Sequence, residues 1–306
     1  MDEKLQPLPG GFSGETFVVE SAGERQVVRL YGQRGARRRS AAVEIDAAVL
    51  RLVQGLLPVP TVLEVRPPSL DGKRPAVLRT SFLPGVRLDT CLSLLDEGMR
   101  ATVGRHLGVT LAHLSQIPMQ RAGRFVDSHL RIEPWEAAAA DLPTWLAHQR
   151  SSSALAAWPE DLYQRLREVA CAAQSLLAEG SRVCLVHSDF NPKNLLIDPA
   201  TGALTGLLDW EFAHAGAPLV DLGNLLRFDR AAAFVEGVVE GYLESAGPLE
   251  GVAGPDGRRR LLDRARAADL FALVELAGRR GENPVTDRAD AQLRSIATAG
   301  DPHAEA

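Results

Sequence analysis

The chain has 306 residues, of which 45% are hydrophobic, and it carries 34 Lys and Arg against 39 Asp and Glu for a formal net charge of -5. A chain of this size and composition can bury one large core or two smaller ones, which excludes a disordered protein. The lack of a basic excess excludes the charge pattern of a nucleic-acid binder, so the expected partner is a small molecule or a protein.

The three cysteines form no CxxC pair, so neither a disulfide framework nor a thiolate zinc site is predicted. The first ten residues lack the cationic start and apolar core of a signal peptide. No uninterrupted apolar run reaches the ~18 residues of a membrane span. We therefore expect a cytoplasmic protein with no membrane segment, either a monomer or a homodimer.

Short strands and one helix are predicted for the first part of the chain. Residues 16–20 and 26–31 are β-branched runs separated by a Ser-Ala-Gly turn, which is typical of a hairpin. Residues 41–53 place apolar side chains on one helix face, and residues 61–65 and 76–82 return to strand patterns. Pro84 and Gly85 end this β-rich region.

Beyond Pro84 the apolar residues recur at helical spacing, and the predicted helical segments are 103–114, 134–148 and 160–179. Predicted strands at 182–187, 194–197 and 204–209 interrupt them, and 219–299 is helical apart from a loop at 246–257. The pattern predicts an α+β chain. Residues 1–83 form a small antiparallel β lobe with one helix, and residues 84–306 form a larger, mostly helical lobe.

The polar residues that can do chemistry concentrate in two segments, HSDFNPKN at 187–194 and LLDWE at 207–211. Two carboxylates and an amide oxygen, from Asp189, Asn194 and Asp209, are hard ligands that suit Mg²⁺ bound together with substrate phosphates. The His-x-Asp-x-x-x-x-Asn spacing is rare by chance, so the first segment is a candidate catalytic loop. A Ser-His-Asp hydrolase built from residues 187–189 is disfavoured, because adjacent residues of a strand cannot converge.

Both segments resemble those of the aminoglycoside phosphotransferase family, the small-molecule branch of the protein-kinase-like fold. The resemblance implies a bilobal protein-kinase-like structure in which Asp189 orients the acceptor hydroxyl while Asn194 and Asp209 bind Mg²⁺. It also implies that His187 orients the catalytic loop and that Asp221 braces it.

The N-terminal region extends the resemblance. Gly11, Ser13 and Gly14 lie in a stretch similar to the nucleotide-binding loop of the family, where glycines permit close approach of the backbone to phosphates. Because this stretch is not a GxxxxGK[ST] loop and no such motif occurs elsewhere, P-loop enzymes are set aside. Ser81 and Leu83 lie in a segment similar to the hinge of the family, whose backbone receives the adenine.

Arg29 occupies the place where protein kinases carry a phosphate-binding Lys. A guanidinium can bind phosphate oxygens bidentately, and a solvated strand Arg is the alternative interpretation. Its carboxylate partner on the following helix is either Glu44 or Asp46, with Glu44 preferred. Lys193 either reaches the γ-phosphate or is a solvated loop residue.

The resemblance implies an ATP- or GTP- and Mg²⁺-dependent O-phosphotransferase that acts on a small-molecule hydroxyl, with an antibiotic such as an aminoglycoside as the preferred acceptor. A metabolic kinase for choline, homoserine or a sugar is the alternative, and a catalytically silent nucleotide-binding regulator is a third possibility. A protein kinase is disfavoured because Trp210 and Glu211 follow Asp209 and no APE element is present. The acidic residues between 229 and 282 either attract a cationic acceptor or form solvated helix faces.

Overall fold

The computed structural model describes residues 5–8, 15–21, 23–31, 41–69, 71, 73–139, 141–180, 182–247 and 256–306. Over these ranges the chain forms a mixed α/β structure in which the strands pair antiparallel. In the same ranges, no helix is both long enough and apolar enough to cross a membrane.

The N-terminal sheet has five strands, which are β1 (Leu5–Pro7), β2 (Glu15–Ser21), β3 (Glu24–Tyr31), β4 (Val62–Arg66) and β5 (Ala76–Ser81). Their spatial order is β1-β2-β3-β5-β4. The β2–β3 turn contains Gly23 at φ +84°, a conformation that residues with a Cβ rarely adopt. Arg29 lies opposite Thr16 on β2 and Leu78 on β5, so it stands in the middle strand of the sheet.

Helix α1 (Ala42–Val53) contacts β4 and β5 of this sheet. Val43, Ala47 and Leu50 are buried at i, i+4 and i+7, the spacing of one helix face. The helix ends where Gln54 turns extended and Gly55 adopts φ +81°. The apolar periodicity of residues 41–53 is therefore confirmed as a helix against the sheet.

Two smaller sheets carry the polar segments. The first consists of β6 (Val86–Arg87), β10 (Leu195–Ile197) and β11 (Leu204–Leu207), and the second of β7 (Gly123–Phe125), β8 (Ile132–Glu133), β9 (Cys184–Val186) and β12 (His214–Gly216). Residues 187–194 connect β9 to β10, and residues 208–213 connect β11 to β12. Both polar segments therefore cross between the same two sheets, which brings them side by side.

The remaining helices are α2 (Leu88–Cys91), α3 (Glu97–Ser115), α4 (Leu142–Ser152), α5 (Glu160–Leu177), α6 (Val220–Leu225), α7 (Ala232–Ser245), α8 (Gly257–Gly278) and α9 (Pro284–Ala299). Helices α3 and α7 approach closely through glycines. A Cβ added at Gly108 would stand 2.1 Å from the carbonyl oxygen of Val238, and one at Gly241 would stand 2.1 Å from that of Arg105. Only glycine permits this backbone contact.

The buried apolar residues form two clusters. The larger one extends from Val43 on α1 through α3, β9 to β11 and α7 to Leu261 on α8. The second joins α4, α5, α8 and α9 around Trp158 and Leu270. Phe190, in the connection between β9 and β10, is fully buried in the larger cluster, which anchors this polar loop to the core.

The predicted helix over 134–148 is wrong at its start. The helix begins at Leu142, because the side chain of Asp141 accepts a hydrogen bond from the backbone N–H of Thr144 at 2.8 Å and caps the helix there. The sequence pattern also does not predict β7, β8 and β12. Strands of two or three residues have too few positions to show an alternation, and they form only because partner strands lie beside them.

Candidate active site

Asp189 lies at the centre of the loop between β9 and β10. Its Oδ2 accepts a hydrogen bond from Asn194 Nδ2 at 2.8 Å and lies 3.1 Å from Lys193 Nζ. Its Oδ1 accepts from Asn191 Nδ2 at 2.6 Å. Because Nδ2 of Asn194 is directed to Asp189, the carbonyl oxygen of the same side chain remains for another partner.

The backbone of this loop is held in an unusual conformation by Asp221. Ser188 adopts φ +69°, in the left-handed region that costs a non-glycine residue roughly 1–2 kcal/mol. The two carboxylate oxygens of Asp221 accept from the backbone N–H groups of His187 and Ser188, each at 2.7 Å. Burial raises the pKa of Asp221 to about 7, and these two N–H donors oppose that rise. Asp221 therefore joins α6 to the backbone of the loop at two successive residues.

His187 connects the catalytic loop to the strand that precedes Asp209. Its Nε2 lies 2.9 Å from the carbonyl oxygen of Leu208, and its Nδ1 accepts from the backbone N–H of Asp189 at 3.2 Å. A ring that donates at Nε2 and accepts at Nδ1 is neutral. Burial lowers the pKa of His187 to about 4, which agrees with a neutral ring at pH 7. The neutral ring of His187 therefore links the backbone at Asp189 to the backbone at Leu208.

Asp209 and Glu211 together hold the guanidinium of Arg29. Nη1 of Arg29 lies 2.8 Å from Asp209 Oδ1, and Nη2 lies 2.6 Å from Glu211 Oε2. Burial alone would lower the pKa of Arg29, but the neighbouring Asp209, Tyr31 and Glu211 raise it overall, so the guanidinium is charged. Asp209 itself adopts φ +62°, so two of the three non-glycine residues with positive φ in the described structure are in this site.

The two candidate partners of Arg29 on α1 are in different surroundings. Asp46 is buried and accepts a hydrogen bond from the hydroxyl of Tyr31 at 2.8 Å. Glu44 Oε2 is buried without a hydrogen-bond partner among the described residues. The described contacts of Arg29 join it to Asp209 and Glu211 and to neither residue of α1. The predicted Arg29–Glu44 pair is thus not among the observed contacts, and Asp46 is the α1 carboxylate nearest the cavity described next.

A cavity of about 360 Å³ lies between the N-terminal sheet and the two polar segments. One end is polar, with Arg29, Lys193, Asn194 and Asp209 in its wall. The other end lies against residues 80–83. Apolar side chains line the walls between the two ends, among them Val27 and Leu78 of the N-terminal sheet, Leu196 of β10 and Leu208 after β11. The volume falls within the range of ~300–1,000 Å³ that is typical of small-molecule sites.

The predicted hinge forms the far end of this cavity. Ser81 is tied down, because its N–H donates to the Thr61 carbonyl and its hydroxyl accepts from the Thr61 N–H, both at 2.9 Å. The backbone of Leu83, by contrast, makes no described hydrogen bond and lines the cavity. The predicted phosphate-loop residues Gly11, Ser13 and Gly14 lie outside the described residues.

The helical region beside Asp189 contains a buried ion pair. Arg227 donates to both oxygens of Asp269 at 2.6–3.1 Å, and both side chains are less than a tenth exposed. Burial lowers the pKa of Arg227 while Asp269, and to a smaller extent Asp189, raise it, so this pair lies within electrostatic reach of the catalytic loop. Asp229 and Glu275 make no described hydrogen bond or ion pair, and burial raises the pKa of each.

Much of the acidic surface of the helical region is paired. Arg105 on α3 binds Glu244 at 2.6 Å and Glu240 at 3.9 Å, which identifies these two as a solvated helix face. Among the tryptophans of the helical region, Trp158 is part of the core, since it is 3% exposed and its Nε1 donates to Asp290. Trp135 is 40% exposed and contacts His214 edge to face.

Sequence reasoning did not identify Asn191 or Tyr31 as site residues, and it left the role of Glu211 open. Asn191 follows Asp189 by two positions in the same loop, so its proximity was readable from the sequence but its hydrogen bond was not. Tyr31 follows Arg29 by two positions in an extended strand, which places both on the same side of the sheet. The alternation of side chains along a strand could therefore have identified Tyr31 as a neighbour of Arg29 from the sequence.

Comparison with protein-family models identifies one match, to a model described as the phosphotransferase enzyme family, over residues 4–262. Among curated proteins, the mouse protein acyl-CoA dehydrogenase family member 10 (Mus musculus) is 27% identical over 224 residues. The match covers 72% of this chain but only 20% of that protein, so the chain corresponds to about a fifth of that relative.

Solved structures of small-molecule kinases have a similar fold. A ternary complex of a thermostable mutant of the aminoglycoside phosphotransferase APH(4)-Ia with AMP-PNP and hygromycin B superposes with a TM-score of 0.69 at 18% identity, over 97% of this chain and 94% of that one. A microcompartment-associated aminopropanol kinase gives a TM-score of 0.65 at 18% identity, over 97% and 92%. At such identities the likeness establishes the fold.

Proposed function

This chain belongs to the phosphotransferase enzyme family, and we propose that it transfers the γ-phosphoryl group of ATP or GTP to a hydroxyl of a small molecule. One observation carries the proposal. Arg29, Asn194 and Asp209 line the polar end of the cavity, and Asp189 is hydrogen-bonded to Asn194 beside it, although these residues come from three separate parts of the chain. That end has the groups that phosphoryl transfer requires, and the other end offers an apolar slot beside a free backbone.

The nucleotide is proposed to lie along the cavity. The purine occupies the apolar end, where the unpaired backbone of Leu83 offers one donor and one acceptor and Ser81 holds the strand end in place. The phosphates reach the polar end, where Arg29 and Lys193 supply positive charge. The predicted nucleotide-binding residues Gly11, Ser13 and Gly14 are proposed to bind the phosphates. This arrangement assigns residues 1–83 to nucleotide binding and residues 84–306 to the catalytic loop and the acceptor.

The donor set fits Mg²⁺ bound together with a nucleotide. Asn194 has a carbonyl oxygen left over, Asp209 has a second carboxylate oxygen, and Glu211 lies on the other side of the same guanidinium. Among the described residues no group of three or more His, Cys, Asp or Glu side chains could hold a metal ion alone. Mg²⁺ characteristically takes one or two protein oxygens and completes its octahedron with phosphates and water. When bound, the ion neutralises the charge that develops on the phosphates.

The proposed step is a direct transfer. The oxygen of the acceptor hydroxyl forms a bond to the γ-phosphorus, and the bond from that phosphorus to the β–γ bridging oxygen breaks. The hydroxyl proton moves towards Asp189, and ADP or GDP leaves with the electron pair of the broken bond. Asp189 fixes the direction of the hydroxyl, while Arg29 and Lys193 hold the phosphates, so that positioning and charge supply the rate enhancement.

Two acceptor classes are proposed for testing. An aminoglycoside is the first, because the family resemblance points to it. A metabolic amino alcohol with fewer positive charges is the second, favoured by the ion pairs of the helical region: Arg227 neutralises Asp269, Arg105 pairs with Glu240 and Glu244, and Arg279 pairs with Glu282. With most of these carboxylates paired, the region suits an acceptor with one or two ammonium groups better than a polycation.

The test is a phosphorylation screen with ATP and GTP in parallel over aminoglycosides, macrolides, amino alcohols, homoserine and sugars, with ADP or GDP release as the signal. We expect release that depends on one acceptor class and on Mg²⁺. Asp189→Ala should lower turnover at least 100-fold with nucleotide affinity within about 3-fold, since general-base groups typically contribute 10²–10⁴. Asp198→Ala is the matched control, because Asp198 caps the β10–β11 turn outside the cavity.

Nucleotide binding without acceptor-dependent release across the screen would contradict the proposed function and favour a silent nucleotide-binding regulator. Full turnover in Asp189→Ala would contradict the assignment of the catalytic residue. An identical result with Asp198→Ala and Asp189→Ala would show that the loss comes from a general effect on folding.

A further inference from the structure

Two side chains that are not proposed metal ligands, Lys193 and Asn191, contact the carboxylate of Asp189. Asn191 also caps the next turn of the loop. Nδ2 of Asn191 donates to Asp189 Oδ1 at 2.6 Å and lies 3.2 Å from the Asp189 carbonyl oxygen. Oδ1 of the same amide accepts from the backbone N–H of Lys193 at 3.3 Å and caps the single turn at 192–194. Each half of the amide therefore serves a different part of the loop.

Only an amide as short as that of Asn can make both sets of hydrogen bonds from position 191. A carboxylate at position 191 would keep the acceptor for the Lys193 N–H but lose the donor, and it would place a second negative charge beside Asp189. A longer amide would keep the donor chemistry but displace the cap. An alanine would lose both. The side chain at position 191 thus affects the orientation of the Asp189 carboxylate and, separately, the turn that carries Lys193 and Asn194.

Asp189 has two oxygens, and the contacts distribute unequally between them. Oδ2 is shared by Asn194 and Lys193, whereas Asn191 is the described side-chain partner of Oδ1. Lys193 lines the cavity and is half exposed, so it is free to leave Asp189 for a phosphate. Once it leaves, the rotation of the carboxylate is fixed by the two amides alone. Without Asn191 one fixed point remains, and the carboxylate can rotate about it.

We propose that Asn191 is a positioning residue that fixes the rotation of the Asp189 carboxylate towards the acceptor hydroxyl while capping the turn that presents Lys193 and Asn194. The inference rests on the proposed function for its kinetic consequences, but the geometric part stands without it. A misdirected base lowers the rate of the chemical step and leaves the binding of the substrates in place, because Asn191 is not among the residues that line the cavity.

The kinetic experiment uses Asn191→Asp, with ADP release from Mg·ATP measured with 1-amino-2-propanol and with hygromycin B as acceptors. We expect kcat to fall 10- to 100-fold, with KM for Mg·ATP, KM for the acceptor and the midpoint of thermal unfolding nearly unchanged. Asn283→Asp is the matched control. Asn283 caps α9 through the backbone N–H groups of Val285 and Thr286 at 3.0 and 3.2 Å, so the same exchange occurs far from the cavity and kcat should not change.

A double-mutant cycle separates positioning from a merely structural role. If Asn191 acts through Asp189, then Asn191→Asp added to Asp189→Ala lowers the residual turnover by less than 2-fold. A further 10-fold loss in that background, or a loss of kcat that follows a lower unfolding midpoint, would overturn the inference.

The crystal structure of Asn191→Asp tests the geometry without any turnover. We expect the turn at 192–194 to be preserved and the Asp189 carboxylate to leave the orientation seen here. An unchanged carboxylate overturns the inference even if the variant is slow. Conversely, a wild-type protein that phosphorylates no acceptor contradicts the proposed function, and the crystal structure still decides whether Asn191 positions Asp189.

Discussion

The replacement of Asp221 by Asn tests how the catalytic loop is held in place. In the wild-type protein both carboxylate oxygens accept a backbone N–H at 2.7 Å, and the residue is 3% exposed. Asn offers one acceptor, and its NH₂ group faces the remaining backbone N–H, so one buried donor is left unsatisfied. An unsatisfied buried group costs ~1–3 kcal/mol, and hydrogen bonds to charged groups contribute ~1.5–3 kcal/mol. We expect the free energy of unfolding to fall by about 2–4 kcal/mol.

The same substitution should reduce turnover, because Ser188 connects the brace directly to Asp189. The left-handed conformation of Ser188 costs roughly 1–2 kcal/mol, and the Asp221 hydrogen bonds are what hold it. When they weaken, the loop can relax and Asp189 loses its direction, so we expect kcat to fall at least 10-fold. Ser188→Gly removes the conformational cost, and in the Asp221→Asn background it should recover about 1 kcal/mol.

Urea denaturation and steady-state kinetics measure the two effects. Asp290→Asn is the matched control, since Asp290 is equally buried and accepts from Trp158 Nε1 at 2.9 Å in the second cluster, remote from the loop. It should lower stability and leave kcat unchanged. A free energy of unfolding for Asp221→Asn within 0.5 kcal/mol of the wild-type value, or no gain in stability from Ser188→Gly in the Asp221→Asn background, would refute the reasoning.

Three further predictions concern the packing, the pH dependence and the metal site. Gly108→Ala should destabilise the protein by about 1–3 kcal/mol in urea denaturation, because the added Cβ overlaps the α7 backbone, whereas Gly98→Ala on the same helix meets one atom at 3.5 Å and should be neutral or stabilising. The pKa of His187 in the folded protein, about 4, is below the usual ~6.5, so the contribution of His187 to the free energy of unfolding is present above pH 6.5 and is lost as the pH falls to 4. The difference in the free energy of unfolding between wild type and His187→Gln should therefore narrow from pH 6.5 to pH 4. A constant difference would contradict the neutral ring. Arg29→Met should weaken Mg·ATP binding at least 10-fold in calorimetry. Because the substitution removes the ion pairs with Asp209 and Glu211, Mg²⁺ alone should raise the midpoint of thermal unfolding more than it does in wild type. An equal rise of the midpoint in both proteins would contradict the ion-pair assignment.

The sequence by itself determined the family. The spacing of Asp189, Asn194 and the later Asp209 carries the resemblance, and it could be read without coordinates because these residues lie in two short segments of the chain. The helix over residues 41–53 and the hairpin before it also followed from local patterns. Such features depend on neighbours in the chain, and periodicity records them directly.

Only the tertiary structure decided which groups meet. The Arg29 guanidinium lies between Asp209 and Glu211, about 180 residues away, and not beside Glu44 on the adjacent helix. The local sequence pattern carries no information about such a pair, because the distance between β3 and the β11–β12 connection is set by how their two sheets pack against each other. The tie between Asn191 and Asp189 is also visible only in the structure. Two residues so near in sequence can point in any relative direction, and here the backbone hydrogen bond from the Asn191 N–H to the Asp189 carbonyl at 2.9 Å makes the turn that brings their side chains together.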